Sequence, residues 1–279
     1  MGIGSWKHAS SVIIYSKTTQ RILMMKRGAG AKFMPNALVF PGGVATPADE
    51  KLGPATRVAA LREVFEETGL LATSSGIESS LSNPELSKIQ ESVKKDAGLF
   101  KTVFSEKALS DLIPWRCWLT PASLPKRFMT DFYMLQVEGE PEIRMCEDEM
   151  VGYSWSSSED FLKEATLGHV ALPPPQVYEL TKIKSMKTVS PMTDPGFVIC
   201  PQTIKWTEGG KLTNLLPGDH LYQEGNAYEV PMRSMSPKDI EVDCHKPTHR
   251  IEYLVKPIWG KSKLFHHGLV SPYDTLFPN

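Results

Sequence analysis

The chain has 279 residues, enough to bury a sizeable core in one or two domains. Its 31 basic and 32 acidic side chains nearly cancel, which argues against a non-specific nucleic-acid binder, a class that carries a basic excess. No apolar run approaches the roughly 18 residues of a membrane span, so no membrane association is expected. The N-terminal MGIGSWKHASS lacks the apolar core of a secretory signal, and its sixth residue is not the Ser or Thr that myristoylation requires. Cys117, Cys146, Cys200 and Cys244 are scattered, the pattern of reduced thiols in an intracellular protein.

In chain order, Ser11 to Tyr15 and Arg21 to Met25 are apolar and β-branched, with Ser16 to Gln20 between them; they predict two strands and a tight connection. Lys26 to Gly30 forms a basic, glycine-bearing loop. It is either a contact to a substrate phosphate, with Arg27 as the candidate, or a solvated turn. A short strand, Ala37 to Phe40, feeds the turn Pro41-Gly42-Gly43, where a ligand can approach the backbone closely. After the loop TPADEKLGP, the stretch Thr56 to Leu71 predicts a helix of about four turns, with Val58, Leu61, Val64 and Phe65 as its apolar stripe and Gly69 as its stop.

Thr73 to Pro84 is polar. Leu86, Ile89 and Val93, then Leu99, Phe100, Val103 and Phe104, predict a helical insert ending near Asp111 whose apolar faces are either core or pocket wall. Trp115 to Thr120 and Arg127 to Val137 read as a strand pair around Pro121 to Pro125. The acidic run Glu147-Asp148-Glu149 precedes a strand-like segment ending at Trp155; a helix through about Leu167 follows. Leu172 to Pro175 is rigid and extended before a second helix, Gln176 to about Met186. The remainder reads as strands and loops, among them Gly196 to Cys200 and Ile251 to Val255. Cys244, His245 and His249 are near neighbours, but Pro247 breaks helical spacing and no fourth ligand stands nearby, so zinc is not expected.

The helix Thr56 to Leu71 carries the chemistry. Glu63, Glu66 and Glu67 stand at i, i+3 and i+4 on the face opposite the apolar stripe. Three carboxylates within one turn repel each other, and Arg62 can relieve one of them, Glu66. Open water or a bound cation must offset the rest, and a hard divalent ion such as Mg²⁺ favours carboxylate oxygens.

A Gly-Gly turn followed by Arg-Glu-x-x-Glu-Glu-x-Gly resembles the signature of the Nudix hydrolases, here from Gly43 through Arg62, Glu63, Glu66, Glu67 and Gly69 to Leu70. The first half departs from that signature: Asp49 and Glu50 fall near its acid, and Arg62 comes five residues later than expected, after an insertion in a Pro- and Gly-containing loop where added length costs little. The runs Glu149 to Ser156, Leu172 to Glu179, Leu215 to Tyr222 and Trp115 to Phe132 are similar to one branch, the animal peroxisomal coenzyme A diphosphatases, which share the enlarged first half.

The resemblance implies an α/β/α sandwich with a mixed sheet. It places a Nudix domain over residues 8–170, with the helical insert at about 74–111, and a C-terminal extension packed on it over 171–279. It implies Mg²⁺ or Mn²⁺ as cofactor, held by Glu63, Glu66 and Glu67, with Arg62 orienting a neighbouring carboxylate and Glu149 binding a further ion or acting as base. Gly42, Gly43 and Arg27 are the candidate contacts to substrate. The implied substrate is coenzyme A, its acyl form or another nucleoside diphosphate derivative, with no nucleic-acid partner; a sensor that binds nucleotide without cutting it is the rival class. The branch usually ends in a peroxisomal Ser-Lys-Leu type tripeptide, whereas this chain ends Phe277-Pro278-Asn279, which leaves cytosol or mitochondrion open. Oligomeric state is not legible in the sequence.

Overall fold

The computed structural model describes residues 6–31, 34–186, 189, 198–241 and 245–270. Cys244, the start of the strand expected from Gly196, the N-terminal five residues and the C-terminal Phe277-Pro278-Asn279 lie outside the described residues. The chain divides into two compact units. The first comprises Lys7–Arg116 and Met129–Ser157; the second takes Trp6, Cys117–Phe128 and the described residues from Ser158 onward.

In the first unit, β1 (Lys7–Ser16) and β2 (Ile22–Arg27) pair antiparallel, with Ile14 opposite Leu23, as the two apolar runs predict. β3 (Leu38–Val39) joins β2 and leads into the Gly-Gly turn. Next come a single turn of helix, α1 (Pro47–Glu50), and the long α2 (Ala55–Thr68). α2 ends three residues before the expected Leu71. Gly69 takes the left-handed conformation at φ 72°, its N–H donating to the Phe65 carbonyl oxygen, and the chain leaves as a strand.

That strand, β4 (Leu70–Thr73), pairs antiparallel with β5 (Gly76–Ser79) where a polar loop was expected. β5 has too little apolar alternation to announce itself; only Ile77 packs on the core. The helical insert is α3 (Pro84–Lys95), capped by the Asn83 side chain, followed by two 3-10 turns, Ala97–Thr102 and Glu106–Asp111. Its apolar faces are core: Leu86, Val93, Phe100 and Ala108 share one buried cluster with Val58, Leu61, Val64 and Phe65 of α2.

β6 (Leu112–Leu119) and β7 (Phe128–Val137) complete the order β3-β2-β1-β7-β6, and β8 (Met150–Ser156) pairs antiparallel along β2. Val12, Ile14, Leu23 and Met25 pack against α2, burying one helix stripe on one sheet face.

In the second unit, α4 (Ser158–Leu167) precedes α5 (Pro174–Ser185), which begins two residues before the expected Gln176 because prolines suit the first helical turn. The end of β6 pairs in parallel with β9 (Val198–Ile199), with Trp118 opposite Ile199. A separate sheet contains β10 (Gln202–Trp206), β11 (Lys211–Leu215), β12 (Arg233–Met235), β13 (Thr248–Leu254) and β14 (Gly260–His267) in the order β12-β10-β11-β13-β14, with a short α6 (Pro237–Ile240) before β13. β10 and β12 run parallel and the other pairs antiparallel. The chain is therefore α/β with mixed sheets. His249 is buried, with Nδ1 2.6 Å from the Pro217 carbonyl oxygen.

Candidate active site

The site is built on the polar face of α2, in the first unit. Arg62, 2% exposed, is its anchor. Nε and Nη2 donate to the two oxygens of Asp49 at 2.8 and 3.0 Å. Nη1 donates to Glu63 Oε1 and Glu66 Oε1, each at 2.8 Å, and Nη2 also donates to the Val44 carbonyl oxygen at 3.0 Å. All five N–H bonds are used. Burial alone would lower the Arg62 pKa, but the bond to Asp49 and the charges of Glu63 and Glu66 outweigh it and raise it.

Asp49, 1% exposed, is the acid of the enlarged first half; Glu50 is exposed. Thr46 also donates to Asp49 Oδ2, from its N–H at 2.8 Å and its hydroxyl at 2.9 Å. The five extra residues before Arg62 thus fall between α1 and α2, and Asp49 and Arg62 meet across them. Thr46-x-x-Asp49 is a capping-box spacing, a signal in the sequence that would have favoured Asp49 over Glu50.

Two glycines make room for the carboxylates. Gly42 sits at φ 154°, and a Cβ there would overlap the Ser10 carbonyl oxygen. Its N–H donates to Glu67 Oε2 at 3.0 Å. A Cβ on Gly43 would overlap the Glu63 carboxyl group. These glycines are required by the close approach of α2.

Burial is the largest influence on the three glutamates and raises each of them. Glu63 is pushed up to about 7, with Arg62 opposing and Glu66 adding to the shift. Glu66 is raised by burial, with its bond to Arg62 and that guanidinium's charge opposing. Glu67 is raised well above the usual carboxylate range by burial and by Glu63, against the Gly42 N–H and Arg27.

At the end of β2, Arg27 Nη2 donates to Glu149 Oε2 at 2.6 Å, and the Gly28 N–H donates to the Glu149 carbonyl oxygen at 2.9 Å. Arg27 is strand rather than loop, and both it and Glu149 act electrostatically on Glu67. Glu147 and Asp148 are exposed, and Asp148 pairs with Lys94 at 3.3 Å. The structure therefore brings together Arg27, Gly42, Gly43, Arg62, Glu63, Glu66, Glu67 and Glu149.

Among the described residues, no three acidic, His or Cys side chains converge on one point in this arrangement. Arg62 draws Glu63 and Glu66 toward itself, and the Gly42 N–H draws Glu67. Each keeps one oxygen outside these bonds: Oε2 of Glu63, Oε2 of Glu66 and Oε1 of Glu67. An all-oxygen donor set whose negative charges are crowded and partly desolvated fits Mg²⁺ or Mn²⁺.

Fold and carboxylate helix together define a class, the Nudix hydrolases. The family description NUDT19 Nudix domain matches residues 52–183. Nudix hydrolase 7 of Caenorhabditis elegans is 43% identical over 273 residues, 97% of this chain and 92% of that protein. Acyl-coenzyme A diphosphatase NUDT19 of Homo sapiens is 25% identical over 336 residues, 90% of this chain and 89% of that protein. In fold, a crystal structure of a NUDIX hydrolase from Alicyclobacillus acidocaldarius matches at a TM-score of 0.58 and 22% identity, over 68% of this chain and 100% of that one. The chain belongs to the NUDT19 family of Nudix hydrolases. That family is typically dependent on divalent metal and acts on small diphosphates.

Proposed function

We propose that this enzyme hydrolyses the diphosphate bond of coenzyme A and acyl-coenzyme A, releasing 3′,5′-ADP and 4′-phosphopantetheine or its acylated form. The observation that carries the reading is the Arg62-anchored carboxylate face of α2, packed closely on the Gly-Gly turn. The choice of coenzyme A rests on the distant relatives that bear that activity in their name.

Glu63, Glu66 and Glu67 would hold Mg²⁺ or Mn²⁺ through the oxygens left outside the Arg62 and Gly42 bonds. The bound ion supplies charge neutralisation on the diphosphate and a lowered pKa for a coordinated water. Arg62 fixes the carboxylates, and Asp49 fixes Arg62, so the donor oxygens are held before substrate arrives. Arg27 offers guanidinium donors to the diphosphate oxygens, while the Gly42 N–H serves Glu67. Glu149 takes the proton of the attacking water or holds a further ion. Water adds across the P–O–P bridge, and the leaving phosphate carries away the bridging oxygen.

A substrate panel read by mass spectrometry tests the assignment. Free and acylated coenzyme A are expected to give 3′,5′-ADP at rates at least about tenfold above NADH, ADP-ribose or a nucleotide sugar, a discrimination of about 1.4 kcal/mol. Faster cleavage of one of those others would move the assignment within the class. Binding without product in Mg²⁺ would identify a sensor.

A further inference from the structure

The insert helix α3 meets the end of α2 at Gln90, which is 0% exposed. Its amide nitrogen donates to the carbonyl oxygens of Glu66 and Arg144, each at 3.0 Å. Its amide oxygen accepts from Ser80 Oγ at 2.7 Å and from Arg144 Nη1 at 2.9 Å. Only one orientation of the amide serves: turned over, it would set its oxygen against two carbonyl oxygens and its N–H bonds against a guanidinium.

The last carbonyl groups of a helix need outside partners. In α2 these are Glu66, served by Gln90; Glu67, which accepts from the Cys146 N–H at 3.0 Å; and Thr68, which accepts from the Arg144 N–H at 2.9 Å. The segment Arg144 to Cys146 that closes the helix is also the one that leads to Glu149. α3 grips it twice more, through Glu91 to Arg144 at 3.0 Å and Lys94 to Asp148 at 3.3 Å. Exposed ion pairs of that kind contribute little. The buried amide, with every hydrogen-bonding position filled, carries the connection.

We infer that Gln90 is a positioning residue for the hydrolysis, setting the spacing between the Glu66 and Glu67 carboxylates on one side and Glu149 on the other. It touches neither substrate nor ion and acts through two backbone segments. The inference rests on the metal-holding role proposed above for those glutamates. It gives the insert a mechanical part in the site.

Gln90→Met keeps the shape of the side chain and removes its donors. The expected result is a folded protein whose Mn²⁺ dissociation constant, read from the free-ion electron paramagnetic resonance signal, rises about tenfold, with kcat down by about tenfold and KM for coenzyme A within about twofold. Ser80→Ala withdraws one partner of the amide oxygen, keeps both donations, and serves if the first variant does not fold; it is expected to weaken Mn²⁺ binding about threefold. A wild-type Mn²⁺ affinity and kcat in a folded Gln90→Met protein, or an unmoved affinity in Ser80→Ala if that is the variant that folds, overturns the assignment and leaves Gln90 a strut. Undiminished turnover by Glu67→Gln would remove the carboxylate reading itself, a separate failure.

Discussion

Arg62 and Asp49 form the hinge of the site at the scale of single residues. A guanidinium with all five N–H bonds committed cannot be replaced by an ammonium, which has three donors and no fork. Asp49→Asn would leave Arg62 buried against half a partner. The expected cost is about 3–5 kcal/mol of stability, with turnover reduced by about 10- to 100-fold; urea denaturation and steady-state rates would read these separately. Glu63 adds a pH dependence. Its carboxyl is held up to about 7 in the folded chain, above its unfolded value near 4.5, so between those values the folded state holds a proton that the unfolded state has lost. Stability of the metal-free protein is therefore expected to fall as pH rises from 5 to 7. Because the ion displaces that proton, Mn²⁺ affinity is expected to climb as pH rises through 7. Melting temperatures in chelator and in Mn²⁺ at pH 6 and 8 check both: the gain from metal should be larger at pH 8.

α2 was legible at the scale of elements because its apolar stripe and its carboxylate face repeat every three or four residues. Its end comes earlier than periodicity implies because Leu71, seven residues after Val64, continues the stripe, while the left-handed Gly69 diverts the chain into β4. β5 was not legible, since three of its four residues contribute no apolar face to the core. Asp49 was only half legible: its partner lies 13 residues away across an inserted loop. The Gln90 contacts were out of reach, because they span 24 and 54 residues and periodicity reports only neighbours within an element. The Gly42 turn was legible as a turn, but not as the point where Ser10 and Glu67 press on the backbone. Gly42→Ala is expected to cost about 1–3 kcal/mol through its positive φ, with more from the overlap with Ser10; a chemical denaturation midpoint would show it.

Two units share one family across nearly the whole molecule, since the match to the nematode relative spans 97% of the chain. The second unit has its own organising pair. Arg250 donates through Nε and Nη2 to the two oxygens of Asp219 at 2.8 and 3.0 Å, and the N–H groups of His249 and Leu221 donate to the same carboxylate, each at 2.9 Å. Both side chains are 0% exposed. The Leu-Pro-Gly-Asp run that marks the branch in sequence is thus a buried fastening of β11 to β13. Asp219→Ala is expected to cost about 3–5 kcal/mol, because it strands a buried guanidinium; a variant that unfolds at the wild-type denaturant concentration would show the pair to be dispensable. No described helix is long and apolar enough to cross a membrane.

The role proposed for the carboxylates of α2 is to serve diphosphate cleavage by holding a divalent ion. The direct measurement is release of 3′,5′-ADP from coenzyme A, with Mn²⁺ and with chelator, by the wild type and by Glu67→Gln. The expected result is turnover that needs the ion and falls by about 10²- to 10³-fold in the variant. Turnover that survives chelation, or that the substitution leaves untouched, would contradict it.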